Sequence, residues 1–443
     1  MKNGKDCGMR RALMEKLKDW KVSANRKPLI IRGARQVGKT WLMKEFGKNE
    51  FQETVYLNFD GNRELTRLFE DNLDVRRIVA GLEIFSGKRI EAEKTLLIFD
   101  EIQEAPRTLT ALKYFCEEMP EIPIISAGSL LGVALHQGTG FPVGKVAFLD
   151  LYPMSFTEFL NASGHANLAE LLEKEDWSLI SVFRESFIEQ LRLYYFIGGM
   201  PEAVETFLAE KLPQAVRMVQ TRILEAYEQD FSKHAPPETV ARIRMVWQQI
   251  PSQLAKENRR FVYGAIRKGA RAKDFELAIQ WLRDCGLIYQ VPRISKPALP
   301  LSAYPDEGFK MFLLDIGLLG AMSGLDPRIL LEGSRLFSEF KGALTEQYVQ
   351  QQLRSECGIS PYYWSAEHAS AEVDFIFQHG MNLIPLEVKA EENLKAKSLR
   401  SYCDKYAPPV AIRTSMSDYR KESWLTNLPL YAISCIPAVA EKR

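Results

Sequence analysis

The feature that most constrains this chain is one octapeptide, Gly33-Ala34-Arg35-Gln36-Val37-Gly38-Lys39-Thr40, which fits G-x-x-x-x-G-K-[ST]. Glycines at that spacing let a backbone wrap closely enough for several N–H groups to face the oxygens of one phosphate chain. The apolar run Pro28 to Arg32 leads into the loop, and a helical pattern leaves it from Lys39. A strand entering and a helix leaving would aim the positive end of the helix at the same anion. Further apolar runs follow at Thr54 to Phe59, Thr95 to Phe99 and Ile122 to Ser126, separated by helical stretches. Strands alternating with helices predict a parallel α/β sheet. Continuous rather than alternating apolar runs predict strands buried on both faces.

The loop predicts a nucleotide site on Gly33, Ala34, Arg35, Gln36, Val37, Gly38, Lys39 and Thr40, with ATP and Mg²⁺ as ligands. Lys39 is expected to reach the β- and γ-phosphates and the Thr40 hydroxyl to hold Mg²⁺. Leu96 to Phe99 runs straight into Asp100 and Glu101. An Asp at this strand end manages Mg²⁺ in P-loop proteins, and the next acid can polarise the attacking water. Asp100 and Glu101 are assigned those roles. Ser129, with Ser126 as the alternative, is the candidate for sensing the γ-phosphate beside Asp100. No arginine finger can be assigned, since Arg35 could equally face solvent.

At 443 residues the chain exceeds one ordinary core, because domains run to about 100–200 residues. A formal net charge of +1 gives no bulk signature of a nucleic-acid binder, so any such contact must be a local patch. None of the six cysteines forms a C-x-x-C pair, which predicts neither a zinc site nor a disulfide framework. No apolar run approaches a membrane span, and the N-terminus has no signal core, so a cytoplasmic location without membrane contact is expected.

Ser155 to Phe231 reads as helical, interrupted at Ile197 to Pro201, where two glycines and a proline turn the chain. Next come a helix, a basic loop, a second helix over Asp274 to Asp284, and a strand over Leu287 to Val291. That order suits a winged helix-turn-helix. Its cations Lys256, Arg259, Arg260, Arg267, Lys268 and Arg271 are candidates for following the backbone of double-stranded DNA.

The last part places Asp374 on one strand and Glu387 and Lys389 on the next, around a turn at Gln378 to Asn382. Folding about Gly380 sets Asp374 opposite Leu386, next to Glu387. Glu346 lies on the preceding helix, in a stripe with Gly342, Ala343, Val349 and Leu353. A carboxylate on an apolar face is costly unless paired or metal-bound. Glu346, Asp374 and Glu387 are therefore candidate metal ligands. With Lys389 they form a candidate centre for Mg²⁺-dependent phosphodiester cleavage. The set resembles the PD-(D/E)XK nuclease core.

The series GARQVGKT, LLIFDEIQ, ISAGSLLG, FPVGKVAFLDLYPMSFTEFL and GGMPEAV resembles prokaryotic AAA-type (AAA_14-like) P-loop ATPases that carry a C-terminal DUF4143 region. The segments from Lys256 to Val291, FLLDIGLL and EVDFIF…PLEVK resemble that region. The resemblance implies an additional-strand P-loop sheet (1–160), a helical lid (161–235), a winged-helix-like domain (236–330) and a small restriction-endonuclease-like α/β domain (331–443). It implies an ATPase coupled to DNA binding or cleavage. The alternative is an ATP-dependent switch or scaffold that binds DNA or a protein partner without cutting. A homo-oligomer is expected if a neighbouring subunit supplies the missing arginine.

Overall fold

The computed structural model describes residues 9–70, 72–128, 142, 144–256, 259–332, 338–366, 371–391 and 395–441. They fall into two units. One comprises Arg10–Tyr152 with Asp284–Leu287, and the other chiefly Pro153–Arg283 and Ile288–Arg443.

The first unit is built on β1 (Leu29–Arg32), β2 (Glu53–Asn58), β3 (Thr95–Asp100), β4 (Ile124–Ala127) and β5 (Ala147–Asp150). Their order is β2-β3-β4-β1-β5 and every pairing is parallel. All six residues of β3 and all four of β4 are buried, as their unbroken apolar runs require. Strand β4 lies between β1 and β3 and is the additional strand that the resemblance implied. On one face, Ile30, Val55, Leu57, Leu97 and Phe99 pack against Leu65, Phe69, Leu109 and Phe115. Phe59, Phe69 and Phe99 meet edge to face with centroids 5.6–5.9 Å apart. Each buried Phe contributes about 1.5–3 kcal/mol. Strand β5 was not anticipated, because an edge strand of alternating exposure has no continuous apolar run.

The second unit opens with helices, including Arg184–Ile197, Pro201–Glu210, Pro213–His234 and Pro237–Leu254. The Gly198–Gly199 turn fits between two other segments. A Cβ on Gly199 would lie 2.0 Å from the Met154 carbonyl oxygen, and one on Gly198 would lie 2.1 Å from Asp315 Oδ1. Asp315 caps the helix Ile316–Met322 by accepting from Leu318 N–H. It also accepts from Gly199 N–H at 2.6 Å and from Gln351 Nε2 at 3.1 Å. Burial pushes its carboxyl up, against those hydrogen bonds.

The second sheet contains β6 (Ile288–Ile294), β7 (Pro305–Leu313), β8 (Tyr362–Ser365), β9 (Glu372–His379), β10 (Asn382–Val388), β11 (Ile412–Ser415), β12 (Arg420–Lys421) and β13 (Thr426–Pro429). Their order is β12-β13-β11-β10-β9-β8-β6-β7, with parallel and antiparallel pairings mixed. The β6–β7 hairpin joins the later strands through Arg293 beside Tyr363 and Ile294 beside Trp364. One sheet thus spans the segments on either side of residue 330. The chain is α/β throughout, a parallel P-loop sheet followed by this mixed sheet and many helices.

The β9–β10 hairpin corrects one expected register. His379 pairs with Asn382 and Phe375 with Leu386, so the turn holds two residues, Gly380 and Met381. Gly380 has φ +58°, as a two-residue turn demands. Asp374 is therefore aligned with Glu387 rather than with Leu386, and the two acids share a face.

Candidate functional site

The phosphate loop starts where β1 ends and closes into the helix Lys39–Glu50. Its path uses positive φ at Gly33 (+154°), Gln36 (+66°) and Gly38 (+94°). A Cβ at Gly33 would lie 2.2 Å from the Leu151 carbonyl oxygen, so the first glycine serves close approach as well as the turn. Lys39 is buried and folds over the loop, donating to the Gly33 and Ala34 carbonyls at 2.8 and 2.7 Å. Burial lowers its ammonium to about 8, although Glu101 and Asp100 oppose the shift. An ammonium this poorly solvated gains strongly from an arriving polyanion.

Thr40 donates to Asp100 Oδ2 at 2.6 Å, linking the loop to the end of β3. Asp100 is buried, and Tyr56 Oη donates to the same oxygen at 2.9 Å. Burial, then Asp100, raises the Tyr56 hydroxyl, so it stays a donor. Lys44 stands 3.7 Å over the Tyr56 ring. Glu101 turns out of the strand with φ +52°, and Gln103 Nε2 donates to its carboxylate at 2.6 Å. Thr40, Asp100 and Glu101 therefore meet beside Lys39. Ser129 lies outside the described residues. Ser126 is buried and aligned with Phe99 and Ile30, on the face opposite Asp100.

Sequence reasoning missed Tyr56 and Arg11. Arg11 is buried and donates to Val37 O at 2.8 Å and Tyr152 O at 2.6 Å, tying the loop to the chain after β5. No local signal marks either residue, because both act on partners far away in sequence.

Glu346, Asp374, Glu387 and Lys389 also converge. Val388 N–H donates to Asp374 Oδ2 at 2.8 Å, and Lys389 donates to Glu387 Oε1 at 2.6 Å. Two cations lie among them that the sequence reading had not placed there. Lys310, on β7 and fully buried, lies 2.6 Å from Glu372, 3.3 Å from Glu346 and 3.7 Å from Asp374. Arg259 donates to the other oxygen of Glu346. Burial would lower Lys310, but Glu346, Glu372 and Asp374 outweigh it and raise it. Burial, then Glu346 and Glu387, pushes Asp374 well above the usual carboxylate range. Burial would raise Glu346 too, but Arg259 and Lys310 hold it down. Glu387 Oε2 is buried without a hydrogen-bond partner, one acceptor that a cation or water would suit. Among the described residues, no group of three or more His, Cys, Asp or Glu side chains is placed to hold a metal ion. The signal for Lys310 was readable: a lysine inside the apolar run Phe309 to Leu314 must be paired.

The basic stretch divides. Arg260, Arg267, Lys268 and Arg271 are exposed. Lys256 is half-buried and bonds Gln253 at 2.9 Å, while Arg259 turns inward to Glu346. The described residues contain no helix long and apolar enough to cross a membrane.

A loop between a parallel strand and a helix, with β4 between β1 and the acid-bearing β3, defines the P-loop ATPase fold. Residues 25–160 match the AAA domain family and residues 341–433 match the domain of unknown function DUF4143, the pairing that the sequence motifs resemble. Residues 188–329 match another domain of unknown function, DUF8612, so the helices and the β6–β7 hairpin belong there rather than to DUF4143. No curated protein matches the chain. Among solved structures, the Walker-type ATPase PABY2304 of Pyrococcus abyssi is similar at 15% identity over 70% of this chain and 94% of that one, with a TM-score of 0.44. The ORC1 protein of Aeropyrum pernix in complex with DNA matches at 12% identity, 71% and 90% coverage and a TM-score of 0.27. The Thermotoga maritima RuvB Holliday junction branch migration motor matches at 13%, 63%, 89% and 0.29 respectively.

Proposed function

We propose that the chain binds ATP with Mg²⁺ on Gly33 to Thr40 and hydrolyses it. The observation that carries this reading is the Thr40–Asp100 hydrogen bond of 2.6 Å beside the buried Lys39 ammonium. A hydroxyl and a carboxylate are the hard oxygen donors that Mg²⁺ takes. When bound, the ion neutralises charge on the transferring phosphoryl group. Lys39 binds the same phosphates, the loop N–H groups orient them, and Asp100 positions Thr40. Glu101 accepts a proton from the attacking water, and Gln103 holds that carboxylate in place.

The test is ATP binding and phosphate release by purified full-length protein. Lys39→Ala is expected to abolish binding, and Glu101→Gln to bind ATP while losing turnover by about a hundredfold or more. Full hydrolysis by Lys39→Ala would refute the assignment.

For the rest of the chain we propose a winged-helix-like module built from Pro237–Leu254, Ala272–Asp284 and the β6–β7 hairpin. Its exposed Arg260, Arg267, Lys268 and Arg271 contact the DNA backbone under control of the nucleotide state. Exposure of these four cations supports this reading, and they suit binding rather than cleavage.

A further inference from the structure

The residues around Glu346 do not fit a divalent ion, and their own cations explain why. Four carboxylates, Glu346, Glu372, Asp374 and Glu387, face three basic groups, Arg259, Lys310 and Lys389. The set carries one residual negative charge. A divalent ion added to these groups would leave a buried site net positive, which is costly in a poorly solvated interior.

Position makes the same point as charge. The fully buried Lys310 ammonium lies within 2.6–3.7 Å of three of the acids. Arg259 is built into the arrangement from a different segment. Its backbone has φ +49°, and its guanidinium lies over the helix at Gly342, where a Cβ would sit 2.7 Å from Nη2. The stripe on helix Ser338–Ser355 thus leaves room for this side chain as well as presenting Glu346. Asp374 is also engaged by Val388 N–H at 2.8 Å.

We propose that Lys310 is the resident cation of this cluster, that Arg259 closes it over Glu346, and that the cluster as folded takes no divalent metal. The acids then serve to bind β7, the Arg259 loop and the helix Ser338–Ser355 to the β9–β10 hairpin. The proposal is independent of the ATP reading, which concerns other residues.

The test is Mn²⁺ binding to nucleotide-free full-length protein, read by electron paramagnetic resonance. Wild type and Asp374→Asn are expected to bind the same amount of Mn²⁺. Lys310→Met, which empties the cation position, is expected to gain one Mn²⁺ site at least tenfold tighter than any in wild type. Adding Asp374→Asn to that variant should abolish the gain. A wild-type site lost in Asp374→Asn would overturn the proposal. So would a folded Lys310→Met protein that gains nothing. If Lys310→Met does not fold, wild type against Asp374→Asn still decides metal occupancy, and Lys310→Met/Glu346→Gln decides the pairing. Restored folding in that double variant supports Lys310 as the partner of Glu346, and failure to fold counts against it.

Discussion

At the residue scale, Asp100 is the centre of the proposed nucleotide site, because one of its oxygens accepts from both Thr40 and Tyr56. Two donors fix the carboxylate more tightly than one. Tyr56→Phe removes one donor while keeping the ring that Lys44 covers. A hydrogen bond to a charged group contributes about 1.5–3 kcal/mol. Turnover is therefore expected to fall by roughly ten- to a hundredfold, if the bond matters most when phosphate charge develops. ATP affinity should stay within about twofold, since Lys39 and the loop are untouched. Steady-state rates and binding of a fluorescent ATP analogue separate the two effects, and an equal loss in both would count against a positioning role. The sequence disclosed the loop and Asp100 because their chemistry depends on neighbours in the chain. Tyr56 was hidden because its partner is 44 residues away, and for Lys310 the need for a partner was readable but not the partner itself, Glu346, 36 residues away.

At the scale of elements, the strands were legible where burial is two-sided. Strands β1, β3 and β4 were found within two residues of their ends, since continuous apolar runs leave few alternatives. The β9–β10 strands were also found, but their register was off by one. A turn of two residues and a turn centred on Gly380 look alike in sequence, and only the pairing of His379 with Asn382 distinguishes them. The Ile197 to Pro201 interruption was legible as a turn, but its packing was not. Gly199 N–H donates to buried Asp315, and Met154 N–H donates to the Gly199 carbonyl. A Cβ there would displace the Met154 carbonyl. Gly199→Ala is expected to destabilise the second unit by about 2–4 kcal/mol, as overpacking combined with the loss of a buried hydrogen bond would do. Urea titration of the full chain, followed by tryptophan fluorescence and circular dichroism, would show it. A change under about 0.5 kcal/mol would mean the turn relaxes freely.

At the scale of the whole molecule, the mixed sheet was the least legible feature. Two residue pairs, separated by about 70 positions, join the β6–β7 hairpin to β8. Neither strand carries a pattern that specifies its neighbour, because period-2 alternation fixes a face and not a partner. The consequence bears on the basic surface. Arg260 and Lys310 pair across a β-bridge, and β7 also carries Lys310 into the acid cluster, so the loop that presents Arg260 is anchored to the same sheet. Phosphates that meet Arg260 would therefore meet a backbone with fixed support. Charge reversal, Arg267→Glu with Lys268→Glu, is expected to weaken binding to a DNA duplex at least tenfold. It should also flatten the salt dependence by about 0.9 for each phosphate that is no longer neutralised. Gel shifts at several salt concentrations measure both, and unchanged binding would remove this surface from the proposal. Nucleotide control adds a stricter requirement. If ATP changes DNA affinity by some factor, DNA must change ATP affinity by the same factor. Glu101→Gln, which should hold ATP without turning it over, lets both affinities be measured at equilibrium. Two factors that disagree would mean that the shift comes from hydrolysis or assembly. Two factors of one would leave the ATP site and the basic surface uncoupled.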